Sequence, residues 1–186
     1  MGVSMHNLKL VVAAVLFLSP VLATAQDQSD QATRLLQQLH EADPTDAKKI
    51  EREISLIWGR SGSPSMDLLL TRGQDALEAG EVQTAIGHFS ALIDHAPDFA
   101  EAWHRRATAF YREEEFGLAL ADLGHVLTLN PNHFNAMFGL AVILETLDRP
   151  QEAFRVYEKV LDLYPTHERA REAEERLRAK ATGQKI

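Results

Sequence analysis

An all-α solenoid of stacked antiparallel helical hairpins is the fold that this sequence of 186 residues predicts. The first observation is an equal spacing of prolines, because Pro131 follows Pro97 by the same interval as Pro165 follows Pro131. The second is that apolar columns recur at the same interval: Gly73, Ala107 and Ala141; Ala85, Ala119 and Ala153; Phe89, Leu123 and Tyr157. The third is that apolar residues inside each unit recur at helical intervals. Such agreement indicates a repeat architecture, in which each unit needs neighbours to bury its apolar face.

The first 25 residues have the order of a secretory signal peptide. A polar stretch with the single cation Lys9 precedes an apolar run from Leu10 to Leu18, and small residues follow up to Ala25. The run is too short to span a bilayer, which takes about 20 apolar residues. We expect residues 1–25 to be cleaved and the chain to be exported to the periplasm. Retention of the segment as an uncleaved anchor is the alternative.

Residues 26–65 predict a leading helical hairpin and a loop. One helix is expected from Asp30 to Ala42 and a second from Asp46 to Trp58, because both stretches carry an apolar face at helical spacing. We expect this degenerate hairpin to stack ahead of the first repeat. Ser65 is the predicted N-cap of the helix that follows.

Three repeat units follow, at residues 66–99, 100–133 and 134–165. Each contains two helices, and small residues such as Gly73 and Ala85 let the helices of one unit approach closely. The proline near the end of each unit closes the second helix, because it lacks an amide donor and disfavours helical geometry in the residue before it. Residues 166–186 predict a polar capping helix up to Ala181 and a short tail.

These units resemble the tetratricopeptide repeat family, whose repeat is about 34 residues long and whose pattern W-x2-L-G-x2-Y…A-x3-F…P is matched in part. The small residue at position eight is Gly73, Ala107 or Ala141, and the closing proline is present three times. Position seven departs from the family pattern, with Arg72 and Arg106 in the first two units. The resemblance implies a right-handed solenoid. We expect Arg106 to form a structural ion pair with Asp122 of the same unit.

The composition excludes several classes of function. The chain has no cysteine, so disulfides, cysteine-ligated metals and cysteine nucleophiles are excluded. Its net charge of −8, which becomes −9 without Lys9, argues against nucleic-acid binding. An exported chain of this kind is held together by packing alone.

Motifs of catalysis or cofactor binding are missing from the sequence. Neither a phosphate-binding loop nor G-x-S-x-G occurs. Glu101 and His104 lie one helical turn apart and form a candidate metal dyad, although no H-E-x-x-H pattern supports it. His133 and His167 share the last repeat position and are interpreted as loop residues packed on the next helix. We therefore predict no catalytic residue, no metal and no cofactor.

The resemblance implies a partner-binding groove lined by the first helix of each unit. The residues at its contact positions are Asp67, Leu70, Gln74, Leu77, Glu78, Glu101, His104, Arg105, Thr108, Tyr111, Arg112, Asn135, Phe138, Val142 and Glu145. In some family members a chaperone's terminal carboxylate is clamped by lysine, asparagine and arginine. Here those positions hold Leu70, Gln74, Arg105, Asn135 and Gly139, so that clamp is absent.

These observations predict a non-enzymatic module or scaffold that binds a protein or peptide in its groove. Two alternatives stay open. The first is a self-associating structural protein, with exposed aromatic residues such as Trp58 or Trp103 in the contact. The second is a small periplasmic enzyme or metal-binding protein, for which the histidines are the only support. We expect no nucleic-acid partner and no membrane span in the mature chain.

Overall fold

The computed structural model describes residues 20–181, with side chains from residue 28 to residue 178. This part of the chain contains no strand and folds into helices α1 Pro20–Glu41, α2 Pro44–Trp58, α3 Pro64–Glu78, α4 Val82–His95, α5 Ala100–Arg112, α6 Phe116–Leu129, α7 Phe134–Thr146, α8 Pro150–Leu163 and α9 Glu168–Ala181. The predicted all-α solenoid is confirmed. None of the described helices is both long and apolar enough to cross a membrane. Most of the predicted signal segment, residues 1–19, lies outside the described residues.

Three hairpins form the solenoid, α3 with α4, α5 with α6, and α7 with α8, and each packs on the next. The second helices end two residues before Pro97, Pro131 and Pro165, as the spacing predicts. Helix α9 packs on α8 and begins one repeat period after Phe134, the first residue of α7, so it is the first helix of a fourth unit. The repeat period therefore continues through the predicted cap.

The small residues allow close helix contacts, as predicted. Gly73 is buried on α3, and a Cβ atom built there would lie 2.7 Å from Cδ1 and 2.8 Å from Cζ of Phe89. Phe89 itself is fully buried on α4. Because the ring occupies the space in which a side chain would stand, only glycine fits at this crossing.

The leading hairpin exists, but its position differs from the prediction. Helices α1 and α2 lie against the third unit, because their apolar face shares one core with Tyr164, Val160 and residues of α9. The residues that they contribute to this core are Leu35, Leu39, Ala47 and Ile54. The hairpin therefore covers the far end of the repeat stack and does not stack ahead of its beginning.

Contacts distant in sequence hold the hairpin in place. The ring of Trp58 stacks on His133 with 4.5 Å between the ring centroids. The hydroxyl of Tyr164 donates to a carboxylate oxygen of Glu51 at 3.2 Å, and burial raises the pKa of Tyr164 to about 12. Lys48 pairs with Glu168 at 3.2 Å. These contacts join the hairpin to the loops before α7 and α9.

Several helix starts differ from those predicted. Helix α1 is already present at Pro20, the first residue that the structure describes, which is ahead of the expected Asp30, and it includes the last residues of the predicted signal segment. Helix α3 begins at Pro64 after Ser63, so Ser65 lies inside the helix and is not its N-cap. Proline suits the first helical position, where its missing N–H would have no partner, and this explains the start of α3 as well as that of α2, which begins at Pro44 and not at the expected Asp46.

Candidate functional site

A cavity of about 500 Å³ opens between helices α5, α7 and α9. Residues of the first helices of three successive units form its walls, with His104, Arg105 and Thr108 on α5 and Asn135 and Phe138 on α7. The wall thus combines hydrogen-bond donors with aromatic and aliphatic surface. Such a mixture fits a protein segment better than a uniformly apolar ligand.

Seven of the fifteen residues predicted for the groove line this cavity: His104, Arg105, Thr108, Tyr111, Asn135, Phe138 and Val142. Glu145 lines an adjoining crevice that shares Phe138, Val142 and Arg169 with the cavity. The two openings are therefore parts of one continuous surface. The binding role of these residues stays a prediction.

The predicted residues of the first unit lie elsewhere. Leu70 and Leu77 are buried in the core between α3, α4 and α5 and do not line the cavity. Asp67 holds the preceding loop by accepting hydrogen bonds from the backbone N–H and the hydroxyl of Ser61 at 2.9 and 2.6 Å. Gln74 and Glu78 are absent from the lining of the cavity. Thus the cavity belongs to the second and later units.

Arg112 links two of the units. Its guanidinium donates to the backbone carbonyl of Leu77 at 2.6 Å. That carbonyl belongs to the last turn of α3, where four carbonyl groups lack intrahelical donors. Arg112 therefore caps the preceding unit and is not among the residues that line the cavity.

Five residues of the cavity were missed by sequence reasoning, namely Ala107, Leu123, Gly139, Ile143 and Arg169. Gly139 has no side chain, and a Cβ built there would lie 3.7 and 3.8 Å from the two methyl groups of Leu123. Because Gly139 has no side chain to cover it, Leu123 of α6 faces the cavity and forms part of its floor. Arg169 was predictable, since it follows Asn135 by one full repeat period and holds the same repeat position.

Glu101 is buried beneath the wall of the cavity and binds three neighbours. Its carboxylate accepts from Nε of Arg105 at 2.5 Å and lies 3.3 Å from Nδ1 of His104 and 3.2 Å from Nε2 of His133. Burial alone would raise the pKa of Glu101, but the charge of His104, the bonds from both histidines and Arg105 together hold that pKa well below its usual range. The ionised carboxylate orients His104 and Arg105, which both face the cavity.

The donor atoms of Glu101, His104 and His133 lie within 4.8 Å of one another and could in principle hold a metal ion. The hydrogen bonds argue against it. Nδ1 of His133 accepts the N–H of Ala136 at 3.1 Å, so the proton of the neutral ring is on Nε2, the atom that faces Glu101. A metal ligand needs a lone pair at that nitrogen. The cluster is thus built as a hydrogen-bonded support for the cavity wall.

His133 and His167 occupy equivalent positions before α7 and α9, as the repeat predicted. Nδ1 of His167 accepts the N–H of Ala170 at 3.1 Å, in the same way as His133 accepts from Ala136. Each histidine therefore serves as the N-cap of the next helix. Burial lowers the pKa of both rings, and the charge of Arg169 lowers that of His167 further.

The predicted pair of Arg106 and Asp122 is present and bidentate. Nε and Nη2 of Arg106 donate to the two carboxylate oxygens at 2.8 and 2.9 Å, and Nη1 donates to Ser90 at 3.1 Å. The ion pair joins α5 to α6, and the hydrogen bond from Arg106 to Ser90 joins α5 to α4. The predicted structural ion pair of Arg106 with Asp122 is therefore confirmed.

The stacked hairpins and their shared groove define a helical-repeat scaffold, a class whose extended surfaces bind other proteins. The sequence profile of the tetratricopeptide repeat family matches residues 70–124 and 104–168. The chain therefore belongs to the tetratricopeptide repeat family. Proteins of this fold typically mediate protein–protein interactions, including peptide binding, and generally act as scaffolds without enzymatic activity.

Relatives extend over different parts of the chain. A TPR repeat-containing protein of Rhizobium etli is 32% identical, across 94% of this chain and 92% of its own length. DnaJ homolog subfamily C member 3 of Mus musculus is also 32% identical, but across 58% of this chain and 21% of that protein. The solved first TPR domain of Spaghetti, bound to an HSP90 peptide, has a TM-score of 0.60 and 23% identity across 63% of this chain and 93% of its own. This last similarity shows the fold alone.

Proposed function

We propose that this protein is an exported, non-enzymatic binding module that docks a segment of a partner protein in the cavity between α5, α7 and α9. The observation that carries the proposal is the cavity itself, with an apolar floor at Leu123 and Gly139 and polar groups along its wall. Its size suits several side chains of an extended or helical segment. Phe138 and Tyr111 are the aromatic anchors that such a segment would contact.

A role without catalysis accords with the state of the polar groups. Glu101 and His133 are engaged with one another and with the N-terminus of α7, so neither is available as a general base. Export accords with the charged, apolar and small residues in sequence order before Gln26. Fractionation of cells and N-terminal sequencing test this part, with a mature chain in the periplasm beginning near Gln26 as the expected result. A cytoplasmic chain that retains residues 1–25 would contradict it.

Site-specific photocrosslinking in the native host tests the docking. A benzophenone amino acid at Thr108 lies in the cavity wall, whereas the same probe at the exposed Ala121 of α6 serves as the matched control. We expect a discrete crosslinked partner at Thr108 only. Gly139→Leu should abolish that product, because the new side chain would fill the cavity floor.

Two results would contradict the proposal. One is crosslinking of equal yield and identity at Ala121, and the other is a product at Thr108 that persists in Gly139→Leu. A crosslink between two copies of this chain would support self-association instead. Circular dichroism of each variant confirms that the helices are retained.

A further inference from the structure

We propose that the segment docked in the cavity is acidic and that Arg169 binds one of its carboxylates. This inference rests on the proposed function and names the chemistry of its partner. It follows from the charges around the cavity, from the hydrogen bonds that the arginines already make, and from the way in which Arg169 is held.

The lining of the cavity is cationic although the chain as a whole is acidic. Arg105 and Arg169 contribute positive charge to the wall, and none of the described lining residues is acidic. The complete chain carries a net charge of −8. Like charges over the rest of the surface disfavour an acidic partner, so the cavity is where such a partner finds complementary charge.

Arg105 retains donors toward the cavity. Its Nε binds the buried carboxylate of Glu101, and this contact fixes the direction of the guanidinium. Among the described residues, no acceptor is bound by its two terminal nitrogens. A side chain whose orientation is already fixed loses less conformational entropy when it binds a ligand.

Arg169 is held by aromatic stacking and not by an ion pair. Its guanidinium carbon lies 4.6 Å from the centroid of the Phe138 ring, which in turn stacks on His167 with 4.9 Å between centroids. Stacking leaves the planar edge of the guanidinium, with its N–H donors, available to a carboxylate. Arg169 also lines the cavity, the adjoining crevice at Glu145, and a second crevice that it shares with Glu51 and Glu168.

Comparison with other arginines marks Arg169 as different. Arg106 is satisfied by Asp122, and Arg176 binds Glu145 at 2.6 Å. In the described part of the chain, Arg169 binds no carboxylate. The crevice on its far side carries Glu145 and Glu172, so a docked acidic residue is directed from Arg169 back toward Arg105 and Asn135.

Fluorescence anisotropy with defined peptide pools tests the inference. Three fluorescein-labelled pools alternate mixed apolar residues with glutamate, glutamine or lysine. We expect the native protein to bind the glutamate pool most tightly, and added salt to weaken this binding because exposed charges are screened. Arg169→Gln should weaken it by roughly three- to fivefold, the upper part of the range for an exposed charged pair. Arg155→Gln, on an exposed site of α8 outside the cavity, should leave affinity within about twofold.

Arg169→Lys separates charge from geometry. Lysine keeps the charge but cannot stack as a plane or form a two-pronged bond, so we expect only partial recovery relative to Arg169→Gln. Thermal unfolding of all three variants should match that of the native protein, which excludes loss of the fold as the cause.

Failure of the inference can be distinguished from failure of the proposed function. If the glutamine or lysine pool binds as tightly as the glutamate pool while Gly139→Leu blocks binding, the cavity binds peptides but the acidic partner is wrong. The inference is also overturned if no pool binds while the crosslink at Thr108 forms, or if Arg169→Gln and Arg155→Gln behave alike. If Gly139→Leu leaves glutamate binding unchanged, both proposals are wrong.

Discussion

Replacing Gly73 with alanine should destabilise the protein, whereas the same replacement at Gly139 should stabilise it. Both glycines lie within first helices of repeat units, α3 and α7. A Cβ at Gly73 would stand 2.7 Å from Cδ1 of Phe89, well inside contact distance, whereas a Cβ at Gly139 would stand 3.7 Å from the nearest methyl group of Leu123. The two positions therefore have the same secondary structure and differ in the free space beside the Cα atom.

The expected magnitudes follow from two opposing terms. Alanine gains roughly 1 kcal/mol over glycine inside a helix, and this term acts at both positions. Overpacking costs roughly 1–3 kcal/mol and acts only at Gly73, where a Cβ 2.7 Å from a ring atom of the fully buried Phe89 calls for the upper part of this range, about 2–3 kcal/mol. We expect a net loss of about 1–2 kcal/mol for Gly73→Ala and a gain of up to about 1 kcal/mol for Gly139→Ala.

Urea unfolding followed by far-ultraviolet circular dichroism measures both free energies of unfolding. Thermal unfolding provides a second measure, since about 1 kcal/mol shifts Tm by roughly 2–4 °C in a chain of this size. The argument requires that the free energy of unfolding decrease in Gly73→Ala and increase in Gly139→Ala. Unchanged or increased stability of Gly73→Ala would refute the argument that helix α4 excludes any side chain there.

Two further perturbations concern the histidine caps and the leading hairpin. Because burial lowers the pKa of His133 and His167, the unfolded chain binds more protons, so stability should fall as the pH drops below the ordinary histidine pKa of about 6.5. His167→Asn keeps a capping side chain that does not titrate, and should flatten the decline of the urea midpoint between about pH 7 and pH 5; an unchanged slope would contradict the role of this cap. Trp58→Ala should cost roughly 2–3 kcal/mol of unfolding free energy because it removes the stack on His133, whereas Leu56→Ala, at a side chain that is 64% exposed in the same helix, should cost less than about 0.5 kcal/mol. Equal losses in urea unfolding would show that the hairpin is not anchored through Trp58.

The repeat region was predictable because each constraint acts within one unit. Pro97 ends α4, Phe89 needs Gly73, and Arg106 needs Asp122, and all three relations recur or lie close together in the chain. A constant repeat period carries such local rules from one unit to the next.

The position of the leading hairpin was not predictable in the same way. The apolar faces that carry Leu39 and Ile54 indicate that both helices pack against other parts of the protein, but they do not indicate which parts. Pairing with Tyr164 and Val160 depends on shape complementarity between segments far apart in the sequence. A periodic sequence pattern does not predict such a contact.

The site was predicted in part for a related reason. Repeat position indicated His104, Asn135 and Phe138, which do line the cavity. Leu70 and Leu77 occupy corresponding positions but are buried, because α5 packs over the first unit. Arg169 was missed because α9 was interpreted only as a cap, although its repeat position is that of Asn135.

The return of the leading hairpin to the third unit has a consequence for how the protein unfolds. In an open array of repeats, each unit touches only its neighbours, and the ends can fray independently. Here Nδ1 of His40 lies 2.8 Å from the carbonyl of Asp162, across 122 residues of chain. Such long-range closure raises the contact order, slows folding, and couples the first helices to the last in a single cooperative transition. We therefore expect the leading hairpin to unfold together with the third unit and α9, whereas the first unit, α3 and α4, packs mainly against the second unit.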